Sequence, residues 1–130
     1  MRFDGYRVAD ERVTGAHPYA ERDAAGLRLN GFLALGVAAR CVALLGATPL
    51  AVALDECRSA LVSGTPDVAQ ARAAAAALAV RAAAALAVTQ GAGAVLRGSH
   101  AERLSREALF LLVFGSRPAI RSALSRRLLY

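Results

Sequence analysis

The stretch from Ala71 to Ala87 constrains this chain's fold more than any other. It reads ARAAAAALAVRAAAALA, alanine with a few larger apolar residues, broken only by Arg72 and Arg81. Alanine is the strongest helix former and is depleted in strands, so the run predicts a helix and argues against a sheet. Its amphipathicity is weak, and its small side chains let neighbouring helices approach closely. Roughly a quarter of the 130 residues are alanine, there is no Trp, and strand-like β-branched runs are few. An all-α fold follows, an up-down four-helix-type bundle in one domain long enough to bury a real core.

Charge and motif content exclude several function classes. The net charge is +6 and all 16 basic residues are arginine. They are scattered along the chain, with no basic stripe interleaved with aromatics, so no nucleic-acid partner is expected. The opening MRFDGYRVADER lacks the apolar core of a secretory signal, which predicts a cytoplasmic protein. Cys41 and Cys57 fit a reducing compartment and read as small buried hydrophobes. His17 and His100 are too few and too far apart to suggest a metal centre. Two apolar stretches imitate membrane spans: Leu29–Leu45, interrupted by Arg40, and Val68–Leu96, interrupted by Arg72 and Arg81. A mid-span arginine costs about 2.5–3.5 kcal/mol, which alanine offsets poorly, so no membrane partner is expected.

Local signals divide the chain. Residues 1–19 carry Phe3, Tyr6 and Val8, then a Gly15–Pro18 turn region, and predict an orphan strand and loop. Residues 20–130 form the bundle. Its first helix runs from about Glu21 to Leu45 and stops at Gly46. Gly31 and Gly36 weaken it by about 1 kcal/mol each, a loss tolerated where a neighbouring backbone or a ligand comes close. Thr48-Pro49 starts a second helix that ends at Ser63-Gly64, and Thr65-Pro66-Asp67 starts a third that ends near Gln90. Ser99-His100-Ala101-Glu102 has the form of a capping box and opens a fourth, ending near Phe114. Gly115-Ser116 breaks the chain, and a fifth helix with Pro118 in its first turn ends at Leu128 or Leu129. Asp55 and Glu56 with Arg58, and Glu102 with Arg106, suit solvated helix faces. Phe110, Leu111 and Phe114 read as core.

Three segments in order carry a family resemblance. ERLSREA followed by LLVFGSRPAIRSALSRRLL resembles the closing segment of the acyl-CoA dehydrogenases, RFDGYRVADERVTG resembles the last strand of their middle β-domain and the loop after it, and ERDAAGLRLNGFLALGVAARCVALLG resembles the first helix of their C-terminal bundle. The resemblance covers nearly the whole chain. It implies the C-terminal bundle of a three-domain flavoenzyme, the part that completes the site and forms the oligomer core. The family's reaction needs a carboxylate to take the α-proton while flavin accepts a hydride, and that base must lie within hydrogen-bond reach.

Both positions that supply the base in this family are altered. At the helix break the matching residue is Phe114, and on the first bundle helix it is Asn30. Neither side chain is a carboxylate. The resemblance further implies FAD contacts at Gln90, Gly91 and Gly93, which partly echo a glutamine and glycine loop, and at Gly115 and Ser116. The family's QFG turn between the first two bundle helices is reduced to GATP, residues 46–49.

The expectation is a non-autonomous part, or divergent subunit, of a flavin-dependent acyl-CoA oxidoreductase that does not dehydrogenate alone. FAD enters only if a partner supplies the missing domains. A truncated reading frame is one form of this reading; the alternatives are a flavin-free cyclase or isomerase using an apolar pocket between helices, and an assembly module. A homo-oligomer or a dehydrogenase-type partner chain is expected in each case, because the orphan strand and apolar helix faces need cover.

Overall fold

The computed structural model describes residues 4, 5, 7–12, 15, 19–63, 67–115 and 117–129. Five α-helices make up almost all of it: α1 Tyr19–Leu45, α2 Leu50–Val62, α3 Val68–Gln90, α4 His100–Val113 and α5 Pro118–Leu129. Short 3-10 turns lie at Asp10–Arg12 and Gly91–Val95. The protein is an all-helical bundle.

Its organising element is α3. Every other α-helix packs against it, whereas α2 and α5 flank it without packing on each other. Alanines face inward around much of this helix: Ala73, Ala75, Ala76, Ala79 and Ala82 are each fully buried, and Arg81, Ala84 and Val88 mark its one exposed side. A helix apolar all round belongs at the centre, and its methyl-sized side chains let four neighbours come close. α1 packs most extensively on α3 and also touches α2 and α4. By length and composition, α1 and α3 are both apolar enough to cross a membrane, but most of the α3 segment is buried inside the bundle.

Helix ends follow local chemistry. Gly46 takes φ +77° and its N–H donates to Val42 O at 3.0 Å, stopping α1 where expected. The Thr48 hydroxyl accepts from Leu50 N–H at 3.4 Å. At the start of α3 the cap is Asp67, whose carboxylate accepts from Gln70 N–H at 2.9 Å. Gly64, Thr65 and Pro66 lie outside the described residues.

Two expectations need correction. No strand is present among the described residues. Arg7–Ala9 are irregular and exposed and lead into the Asp10–Arg12 turn, while Phe3 and Tyr6 lie outside the described residues. A strand needs a neighbouring edge to accept its hydrogen bonds, and this bundle presents none. The capping box at Ser99 is only half made. Its hydroxyl accepts from Glu102 N–H at 3.0 Å, but the Glu102 carboxylate pairs with Arg106, with Nε to Oε1 at 2.5 Å. The Ser99 N–H instead donates to Leu96 O at 3.0 Å. A charged partner one turn ahead outcompetes a backbone amide that already has an acceptor.

Candidate functional site at the α4–α5 corner

The corner between α4 and α5 is built from the break in the chain. Phe114 leaves the helix in an extended conformation, and its N–H donates to Phe110 O at 2.8 Å. Gly115 follows at φ +60°, a backbone conformation that disfavours side chains. A Cβ there would lie 3.2 Å from Asn30 Nδ2. Asn30 and Gly115, 85 residues apart in number, therefore meet in space, next to the helix-break position Phe114. Asp23 and Arg117 pair across the same α1–α5 gap. The Phe110 and Phe114 rings stack with centroids 4.9 Å apart.

Sequence reasoning did not single out the residue that holds this corner. Arg72, on the first turns of α3, is wholly buried. Its Nη2 donates to the carbonyls of Leu111 and Phe114, each at 2.7 Å. These are the acceptors that the end of α4 leaves without helical partners. A guanidinium there also meets the negative end of the α4 dipole. Arg72 Nε and Nη1 have no hydrogen-bond partner among the described residues. Burial away from water lowers the guanidinium pKa, because the charged form loses hydration. The signal for Arg72 was present in the sequence, since a lone arginine in a run of core alanines must find acceptors inside the bundle.

The two parts of the expected cofactor set do not come together within one chain. Gln90 ends α3, and Gly91, at φ +63°, donates its N–H to Ala87 O and Val88 O. Gly91 and Gly93 open the following 3-10 turn, and both are exposed, as is Gln90. Eighteen residues separate Gln90 from Arg72, about 27 Å along α3 at a 1.5 Å rise. Gly115 lies at the Arg72 end, and Ser116 lies outside the described residues. Within one copy Gln90–Gly93 and Gly115 thus lie toward opposite ends of α3, and Gln90 and Gly91 end that helix.

Around the corner an apolar face is left open. Leu29, Leu33, Leu109, Phe110, Val113 and Phe114 are all exposed. Phe110 and Leu33, with Val37, Leu111, Arg106 and Glu107, line a cavity of about 360 Å³ between α1 and α4. Phe110 and Phe114 were expected in the core, and only Leu111 is there. Phe110 and Phe114 lie one turn apart and both remain exposed at the edge of the α1–α4 contact.

Among the described residues no group of three or more His, Cys, Asp or Glu side chains is placed to hold a metal ion. Cys41 is buried, Cys57 half-buried, and both are free thiols. No protein-family model, curated protein or solved structure matches the chain.

Proposed function

We propose that this chain is a helical bundle of acyl-CoA dehydrogenase type, serving as a non-autonomous part or divergent subunit and not dehydrogenating alone. The carrying observation is the meeting of Asn30 with the Phe114–Gly115 corner. The resemblance gives these two places one job, supplying the base, and a fold that separated them would have no use for either. Both lack a carboxylate, and the nearby Asp23 is already paired with Arg117. Among the described residues, neither of the two family positions supplies a proton acceptor of the required kind.

The exposed apolar face around Phe110 and Phe114 supports cover by a second copy or a dehydrogenase-type partner chain, since monomeric proteins seldom leave such patches open. The burial of most of α3 among its neighbours supports a core helix over a membrane span.

A chimera tests this reading. Residues 20–130 would replace the C-terminal bundle of an acyl-CoA dehydrogenase. The chimera is expected to fold and retain flavin without turnover, and Phe114→Glu in the same background to restore measurable flavin reduction by an acyl-CoA. A chimera that loses flavin, or turns over with Phe114 in place, overturns the proposal.

A further inference from the structure

A second surface lies away from the α4–α5 corner, where α2 and α5 flank α3 without meeting. Between them runs an open groove of about 570 Å³. Ala74, Ala77 and Leu78 of α3 and Ala53, Cys57 and Ala60 of α2 line it. On each helix these residues recur at three- and four-residue steps, so each wall is one helix face about two turns long. Two such faces of small side chains form the seam into which a third helix packs, with its axis about 8–10 Å away.

The rim carries a second and independent signal. Arg81 of α3 and Arg126 and Arg127 of α5 edge the groove, against a single carboxylate, Glu56. None of the three arginines makes a hydrogen bond or ion pair among the described residues. They come from two different helices, yet Arg127 and Arg81 both act electrostatically on the Cys57 thiol. Burial outweighs them and leaves that thiol above its ordinary pKa. An occupant that buried the groove with no negative charge would leave this cluster of cations uncompensated.

We infer that the α2–α3–α5 groove docks an acidic amphipathic helix of a partner protein, with small apolar residues on the seam and Asp or Glu flanking them toward Arg81, Arg126 and Arg127. This is the helix-in-groove mode of recognition, read through anchors at helical spacing. Rim charges of this kind select the partner and speed its encounter more than they add affinity. The net charge of +6 reinforces the same preference.

Cys57 supplies the readout, because it is half-buried in the groove while Cys41 is wholly buried. The probe is a designed helical peptide of about four turns with Ala and Leu on one face and Glu on both flanks. Its control carries Lys in place of Glu. At about ten times its dissociation constant the Glu peptide should slow alkylation of Cys57 about tenfold, with protection fading as salt rises. The Lys peptide should give none. The double variant Arg126→Gln/Arg127→Gln should lose about tenfold in affinity for the Glu peptide while melting at the wild-type temperature, since both side chains are exposed. Equal protection by both peptides, or protection by neither, overturns the inference. So does a Cys57 already shielded without peptide in a chain that light scattering shows to be a dimer, which would assign the groove to a second copy.

Discussion

Replacing Arg72 should unfold the α4–α5 corner before it unfolds the rest. The guanidinium is fully buried and satisfies two carbonyls at 2.7 Å. Truncation to alanine leaves both carbonyls bare, at about 1–3 kcal/mol each, and opens a cavity. Against this stands relief from burying a charge whose Nε and Nη1 are unpartnered, a gain of a few kcal/mol. The carbonyls and the cavity together outweigh that gain, and the expected loss for Arg72→Ala is about 3 kcal/mol. Arg72→Met gains the same relief and fills the space, so only the cavity drops out of the balance, and its loss should be about half as large. Arg81→Ala, on the same helix but exposed, should stay within about 0.5 kcal/mol of wild type. Urea unfolding followed by helical circular dichroism measures all three, and amide exchange at Phe114 and Gly115 locates the opening. If Arg72→Ala lies within about 1 kcal/mol of wild type, or Arg72→Met exceeds wild type in stability, the clamp is not what holds the corner.

The two glycines of α1 should respond in opposite directions. A Cβ at Gly31 would lie 2.8 Å from Leu61 Cδ2 and 2.9 Å from Cδ1, and Leu61 is fully buried, so Gly31→Ala should lose about 1–2 kcal/mol despite its better helix propensity. At Gly36 a Cβ meets nothing within 4 Å, and Gly36→Ala should gain up to about 1 kcal/mol, both read from thermal melts. Burial, and then the charge of Glu107, raises the Cys41 thiol pKa. The folded state therefore holds this proton more tightly than the unfolded chain, so the contribution is complete below the unfolded thiol value of about 8.5 and is lost as the pH climbs toward the folded value. Urea midpoints should fall between about pH 8 and pH 10, and the fall should be shallower in Cys41→Ala.

The helices were legible because their ends carry dedicated chemistry. Gly46, Ser99 and Gly115 each end or begin a helix where a left-handed residue or a hydroxyl cap was expected. The centrality of α3 was only half legible. Alanine announces a helix, but a helix apolar on every side has no periodicity to show which face is inward. Gly31 and Gly36 were expected to admit a neighbouring backbone or a ligand; the Leu61 side chain meets Gly31 instead, and nothing lies within 4 Å of a Cβ at Gly36. The strand read from Phe3, Tyr6 and Val8 rested on residue type alone, and residue type does not supply the edge a strand must pair with. The corner was legible as a break but not as a clamp. Arg72 looked like an interruption of an apolar run, and only the arrangement of α3 against the end of α4 reveals its acceptors. Pairing the apolar groove walls with Arg126 and Arg127 also needed the fold, because the rim residues lie some 45 positions beyond Arg81.

The alanine centre of this bundle inverts the usual map of mutational tolerance. In most proteins the costly interior changes are large-to-small ones, which leave a cavity among leucine-sized side chains. Here Ala73, Ala75, Ala76, Ala79 and Ala82 have no exposed surface, and the helices around them are seated at a spacing those methyl groups set. Added methylenes have nowhere to go except between helix backbones, which can yield only by moving apart as rigid rods. A single enlargement would thus be felt along several seams at once. Evolution of this lineage would be confined to its outer faces and grooves, with the central rod held nearly constant in volume.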